Sequence, residues 1–105
     1  GKLRALAISS GQRVAGIDVP TLKEQGVDVE LANWRGVFAP PAISAAQKQV
    51  LLGLVDRMAK SPAWAEELKK RDWTGIYLAG DDFGRYVQSE TDRIEGILRD
   101  LGLAA

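Results

Sequence analysis

Two consecutive prolines, Pro40-Pro41, divide the chain into two kinds of hydrophobic pattern. Proline has no N–H to donate to a ladder, so an extended run arriving at this pair has to stop. Before it, Val27-Asp28-Val29-Glu30-Leu31 alternates apolar with charged residues, the period-2 signature of a strand wet on one face. Asn33 to Ala39 continues in the same style after a bend at Gly36. Beyond the prolines the period changes. Leu51, Leu54, Val55 and Met58 fall at i, i+3, i+4 and i+7, one stripe of a helix. Ser44 and Gln47 have the spacing of a capping box, which predicts a helix from there to about Lys60.

The remaining segments follow by the same reasoning. Leu3–Ile8 is short, apolar and closed by Ser9-Ser10-Gly11, which predicts a mostly buried strand. Residues 11–18 form a loop. Thr21 and Glu24 make another capping box, and Gly26 supplies a left-handed end, so a short helix is expected over 21–25. Ser61-Pro62 places a cap and a first-turn proline before a helix to about Arg71 that buries Trp64 and Leu68. Trp73–Leu78 is a further strand candidate. Asp81 and Asp82 open the last helix at the positive end of its dipole. Phe83, Tyr86, Val87, Ile94, Ile97, Leu98 and Leu101 make its buried stripe, and Gly102 ends it. The expected order is β-α-β-α-α-β-α, an α/β fold.

Composition narrows the functional classes. The 105 residues are 46% hydrophobic and carry 14 basic against 14 acidic side chains, a globular rather than disordered balance. Residues 1–40 hold five basic and four acidic groups, residues 41–105 nine and ten, so no charged tail is present to neutralise phosphates. Nucleic acid is therefore not an expected partner. With no His and no Cys, Ser-His-Asp and Cys-His nucleophilic systems, disulfides and nearly every zinc site are excluded, so neither a metal nor a cofactor is expected. The longest apolar stretch, Val50–Val55, is far short of a membrane span. An opening on an apolar run, with no initiator Met and no export-signal pattern, predicts a start inside a longer parent chain.

Few residues carry chemistry. Gly11 and Gly16 have the spacing of a phosphate loop, but Ile17-Asp18 stands where Lys and a metal-binding hydroxyl must be, so a surface turn is the reading. Glu66-Glu67 and Asp81-Asp82 are sequence neighbours about 100° apart on a helix and cannot face each other as an acid–base pair. Lys69-Lys70-Arg71 suits a helix C-terminus. Ser9 and Ser10 are placed at a strand's carboxyl end, where open α/β sheets bind ligands. Trp64 and Trp73 read as core. Trp34, between Asn33 and Arg35 in an extended segment, reads either as core or as the lining of a cleft.

Several segments in register resemble one family. Gly1 to Ser10, followed by Arg13, then Asp18-Val19-Pro20-Thr21-Leu22 with Gly26, are similar to a signature of the TctC/Bug solute-binding receptors of tripartite tricarboxylate transporters. Trp34-Arg35-Gly36-Val37-Phe38-Ala39-Pro40 matches their Trp-x-Gly-apolar-Phe-Ala-Pro element, and the Trp-bearing helix and Asp81-Asp82-Phe83 follow in the family's order. Residues 40–44 and Ala79-Gly80 depart from the usual pattern; the latter predicts a frayed start to the last helix.

The resemblance implies a periplasmic receptor, not an enzyme, with two α/β lobes like type II periplasmic binding proteins. Such a receptor takes a carboxylated or amphipathic small molecule, a small carboxylate or related metabolite, in its cleft and delivers it to membrane permease subunits. This chain would be its C-terminal third: 1–33 the end of lobe two, 34–40 the crossing strand, and 41–105 the C-terminal part of lobe one. Ser9, Ser10, Asn33 and Trp34 are then the ligand-binding candidates. With the rest of the receptor missing, the chain is expected to self-associate as a homodimer. An effector-sensing domain of a regulator with a similar fold is the competing expectation.

Overall fold

The structure, a computed structural model, describes residues 1–103. Among them the regular elements are a single 3-10 turn at Lys23–Gln25 and the helices α1 (Ala45–Ala59), α2 (Pro62–Lys70) and α3 (Gly80–Asp100). The chain divides into two compact units, Gly1–Val37 and a second that opens at Phe38.

Helix ends are where the sequence writes them. Ser44 accepts from the Gln47 amide at 3.2 Å while the Gln47 side chain accepts from the Ser44 amide at 2.8 Å, a complete capping box. Ser61 accepts from the Trp64 amide ahead of Pro62 in the first turn of α2. The Ala79 position gives α3 no side-chain cap, and Asp81 and Asp82 occupy its first turn. In the first unit Thr21 and Glu24 exchange amide hydrogen bonds at 2.8 and 3.1 Å, and Gly26 adopts φ +82° directly after the 3-10 turn. An L side chain resists that left-handed conformation, so glycine is the residue that lets the turn end there.

The α/β order β-α-β-α-α-β-α is overturned. Among the described residues no sheet is formed, and the pairing of extended chain amounts to one parallel bridge between Ile8 and Thr21. Leu3–Ile8, Val27–Leu31, Asn33–Ala39 and Trp73–Leu78 are not strands of a ladder. A helix closes its hydrogen bonds within four residues, so caps and periodicity are enough to define it. A strand needs a second chain alongside, and alternation says nothing about whether one is there. Ile8 finds such a neighbour, donating to Pro20 O and accepting from Leu22 N at 2.9 Å each, and Leu31 N reaches Ser9 O at 2.9 Å. Residues 32–39 and 74–79 form no bridge among the described residues, and Ala79 O accepts the helix-opening bond from Phe83 N.

The expected core is likewise corrected. No hydrophobic side chain among the described residues is buried; Thr21, 2% exposed, is the buried polar residue. Trp64 and Leu68 are half-buried. The α1 stripe leaves Leu51, Leu54 and Met58 exposed, and the α3 stripe leaves Ile94, Ile97 and Leu101 exposed. The total accessible surface is 8841 Å². Two separately folded bodies of these sizes would expose about 6,900 Å². The amphipathic faces are therefore made but not covered.

The segment 32–39, outside any helix, carries the exposed Arg35 next to the unit boundary. Brief trypsin treatment is expected to yield a product beginning at Gly36 while Lys48 and Arg57, inside α1, stay intact. Mass spectrometry showing the first internal cut within α1 would contradict this.

Candidate functional site

Three of the four residues singled out for ligand contact are seen at defined positions in the first unit by their hydrogen bonds. Ser9 and Ser10 are half-buried where the chain leaves the bridge at Ile8. The Ser9 hydroxyl donates to the Leu31 carbonyl at 2.9 Å, and the Ser10 hydroxyl to the Gln12 carbonyl at 2.5 Å. Ser9 is thereby fastened beside Leu31, two residues before Asn33. Asn33 is exposed, and its carbonyl accepts from the Arg35 guanidinium at 3.4 Å. Trp34 is half-buried. The structure thus brings Ser9 to the chain segment leading into Asn33 and Trp34.

Around this edge lies a charged framework that the spacing of the residues does not reveal. The Arg13 Nε–H donates to both oxygens of Glu24, at 2.8 and 3.0 Å, and Glu24 also accepts from the Thr21 amide. The Thr21 amide, and then Arg13, hold the Glu24 carboxyl below its ordinary range. Lys23 donates to Glu30 at 3.0 Å, a contact that raises the Lys23 ammonium above its ordinary value. The Glu30 carboxylate also lies against Gly11: a methyl group built there would sit 2.6 Å from Glu30 Oε2. Thr21-x-x-Glu24 is legible as a box, but Arg13 lies eleven residues from Glu24 and outside any helical or strand period. Residues 13–18 line an open surface dip beside this loop.

The second unit has its own polar contacts. Lys60 and Asp56 pair at 2.9 Å across the last turn of α1, and the Tyr77 phenol lies close enough to Asp56 for the two to influence each other's ionisation. Desolvation and the Asp56 carboxylate push the Tyr77 phenol up. The Arg71 guanidinium lies 5.3 Å from the Trp73 ring, and the Phe38 and Phe83 rings meet at a tilt of 47° with centroids 5.5 Å apart. These contacts tie an extended segment and a helix start to their neighbours; none assembles a nucleophile with a base. Among the described residues no group of three or more possible metal ligands converges, and no helix is long and apolar enough to cross a membrane.

Residues 1–103 match the family model described as tripartite tricarboxylate transporter family receptor, TctC. No curated protein and no solved structure matches the chain.

Proposed function

This chain belongs to the tripartite tricarboxylate transporter receptor family, and from that premise we infer that it is part of a two-lobed periplasmic receptor that captures a small carboxylate for the transporter's membrane subunits. The family match over residues 1–103 carries the reading. It favours a transport receptor over the effector domain of a regulator, and a binding protein over a catalyst. The uncovered apolar stripes of α1 and α3 support the view that further polypeptide completes the receptor. On this reading residues 1–33 end lobe two, 34–40 cross between lobes and 41–105 contribute to lobe one. Ser9, Ser10, Asn33 and Trp34 contribute to the cleft. The isolated 105-residue chain covers its apolar faces by self-association.

Calorimetry on the complete receptor with citrate as the probe tests this. Trp34→Ala is expected to weaken citrate binding by about tenfold, which is about 1.4 kcal/mol. Trp64→Ala, in α2, is expected to lower thermal stability and leave affinity within about twofold, because a residue outside the cleft acts through folding rather than contact. Unchanged affinity in a folded Trp34→Ala receptor would return Trp34 to a packing role. Absence of heat and of thermal stabilisation with citrate and with simpler di- and monocarboxylates would overturn the carboxylate assignment.

A further inference from the structure

The chain leaves the bridge at Ile8–Ser9 and returns at Pro20–Thr21, so residues 10–18 form a loop whose two ends are fixed side by side. Inside the loop the hydrogen bonds are local: Ser10 to Gln12, and Ile17 N to the Val14 carbonyl. Local bonds shape a turn but do not orient the loop on its base. Arg13 does so. Its Nε–H reaches from the middle of the loop to both oxygens of Glu24, and that carboxylate is itself fixed by the amide of Thr21. Thr21 is 2% exposed and takes part in the bridge, so the anchor at the far end is a buried, hydrogen-bonded residue. On the other side, Glu30, tethered by Lys23, lies on the face of Gly11.

We propose that Arg13 is a positioning residue: through Glu24 it presets the 10–18 loop, and with it Ser10, for ligand capture. The proposal rests on the reading of Ser9 and Ser10 as cleft residues, and Arg13 itself contacts no ligand. A charge-assisted contact to one carboxylate, which Thr21 already holds, orders the loop before ligand arrives, so that binding does not have to supply the ordering entropy. The Asp18 carboxylate, 3.7 Å from Arg13, lies on the same side and reinforces the guanidinium's place.

The test uses the 105-residue chain, which has no native cysteine, so a single nitroxide label can be placed at will. Labels at Ala15→Cys in the loop and Ala46→Cys in α1 are read by electron paramagnetic resonance. Arg13→Gln is expected to sharpen the Ala15-label spectrum to that of a loop moving freely on the nanosecond timescale, and to leave the α1 label unchanged. Arg13→Lys, which keeps one charged donor, is expected to restore part of the immobilisation. Glu24→Gln retains an oxygen for the Thr21 amide but loses the charge that Arg13 grips. It is expected to mobilise the loop as Arg13→Gln does, so a folding defect in either variant alone does not decide the matter. An unchanged Ala15 spectrum in both variants, or equal mobilisation of both labels, would overturn the proposal. No ligand enters this measurement. A loop freed by Arg13→Gln alongside a failed citrate titration would sink the carboxylate reading and leave the positioning role standing.

Discussion

At neutral pH and micromolar concentration, the 105-residue chain is expected to bind a hydrophobic dye such as anilinonaphthalene sulfonate without any denaturant, and to scatter light as species heavier than its 11.4 kDa mass. The physical ground is the accessible surface of 8841 Å² and the absence of a buried apolar side chain among the described residues. On α1, Val50, Leu54 and Met58 are 63%, 50% and 45% exposed; on α3, Ile94 and Ile97 are 42% and 44% exposed. Contiguous apolar surface beyond a few hundred Å² is associated with a partner or with aggregation. The excess of about 1,900 Å² over two ordinary small bodies is of the size that a specific protein–protein interface removes. Hundredfold dilution should lower the scattering mass towards 11.4 kDa, and dye fluorescence per chain should rise as faces separate. A monodisperse 11.4 kDa species at every concentration, with no dye bound, would show that these faces are covered in solution.

Removing the two serine caps should cost the second unit more of its helix than any other pair of single-atom deletions. Ser44→Ala removes the side-chain half of the capping box at α1, since Gln47 N loses its acceptor, and leaves only the bond from the residue 44 amide to the Gln47 side chain. Ser61→Ala removes the acceptor for Trp64 N at the start of α2 and the hydroxyl's 2.7 Å bond to the Met58 carbonyl at the end of α1. A cap of this kind is worth about 1 kcal/mol, so the double variant should lose about 2 kcal/mol. Isolated helices of nine and fifteen residues are marginal in water, and here tertiary burial adds little to them. Circular dichroism should therefore show a clear drop in helical signal at 25 °C, with Ser44→Asp and Ser61→Asp retaining most of it. Helicity unchanged in the double alanine variant would mean that packing, not capping, sets these helix ends.

These two expectations mark the line between local and non-local information in the chain. Everything closed within a few residues was legible: the Ser44–Gln47 and Thr21–Glu24 boxes, Ser61-Pro62, the left-handed Gly26 and the span of α3. So was membership of the receptor family, which rests on the order of short motifs along the chain. Of the candidate site, Ser9 and Ser10 could be placed at the end of an extended run because that run and its turn are contiguous in sequence.

What depended on distant partners was not legible. The alternation in Val27–Leu31 and the apolar run in Trp73–Leu78 give extended backbone, but a ladder requires another chain 4.7–4.9 Å away, and the described residues form a single bridge, Ile8 with Thr21. The stripes of α1 and α3 specify which faces seek burial without specifying what buries them. Arg13 is an ordinary loop cation in the sequence; its place on Glu24 follows from the bridge that brings Thr21 back beside Ile8. By itself, then, the sequence determined the helices, their ends and the family, because hydrogen bonds within a turn and motifs in order need no second segment. Tertiary structure alone decided the pairing of extended chain, the burial of apolar faces and the anchoring of the 10–18 loop, because each of these is a contact between residues that nothing in the local pattern connects.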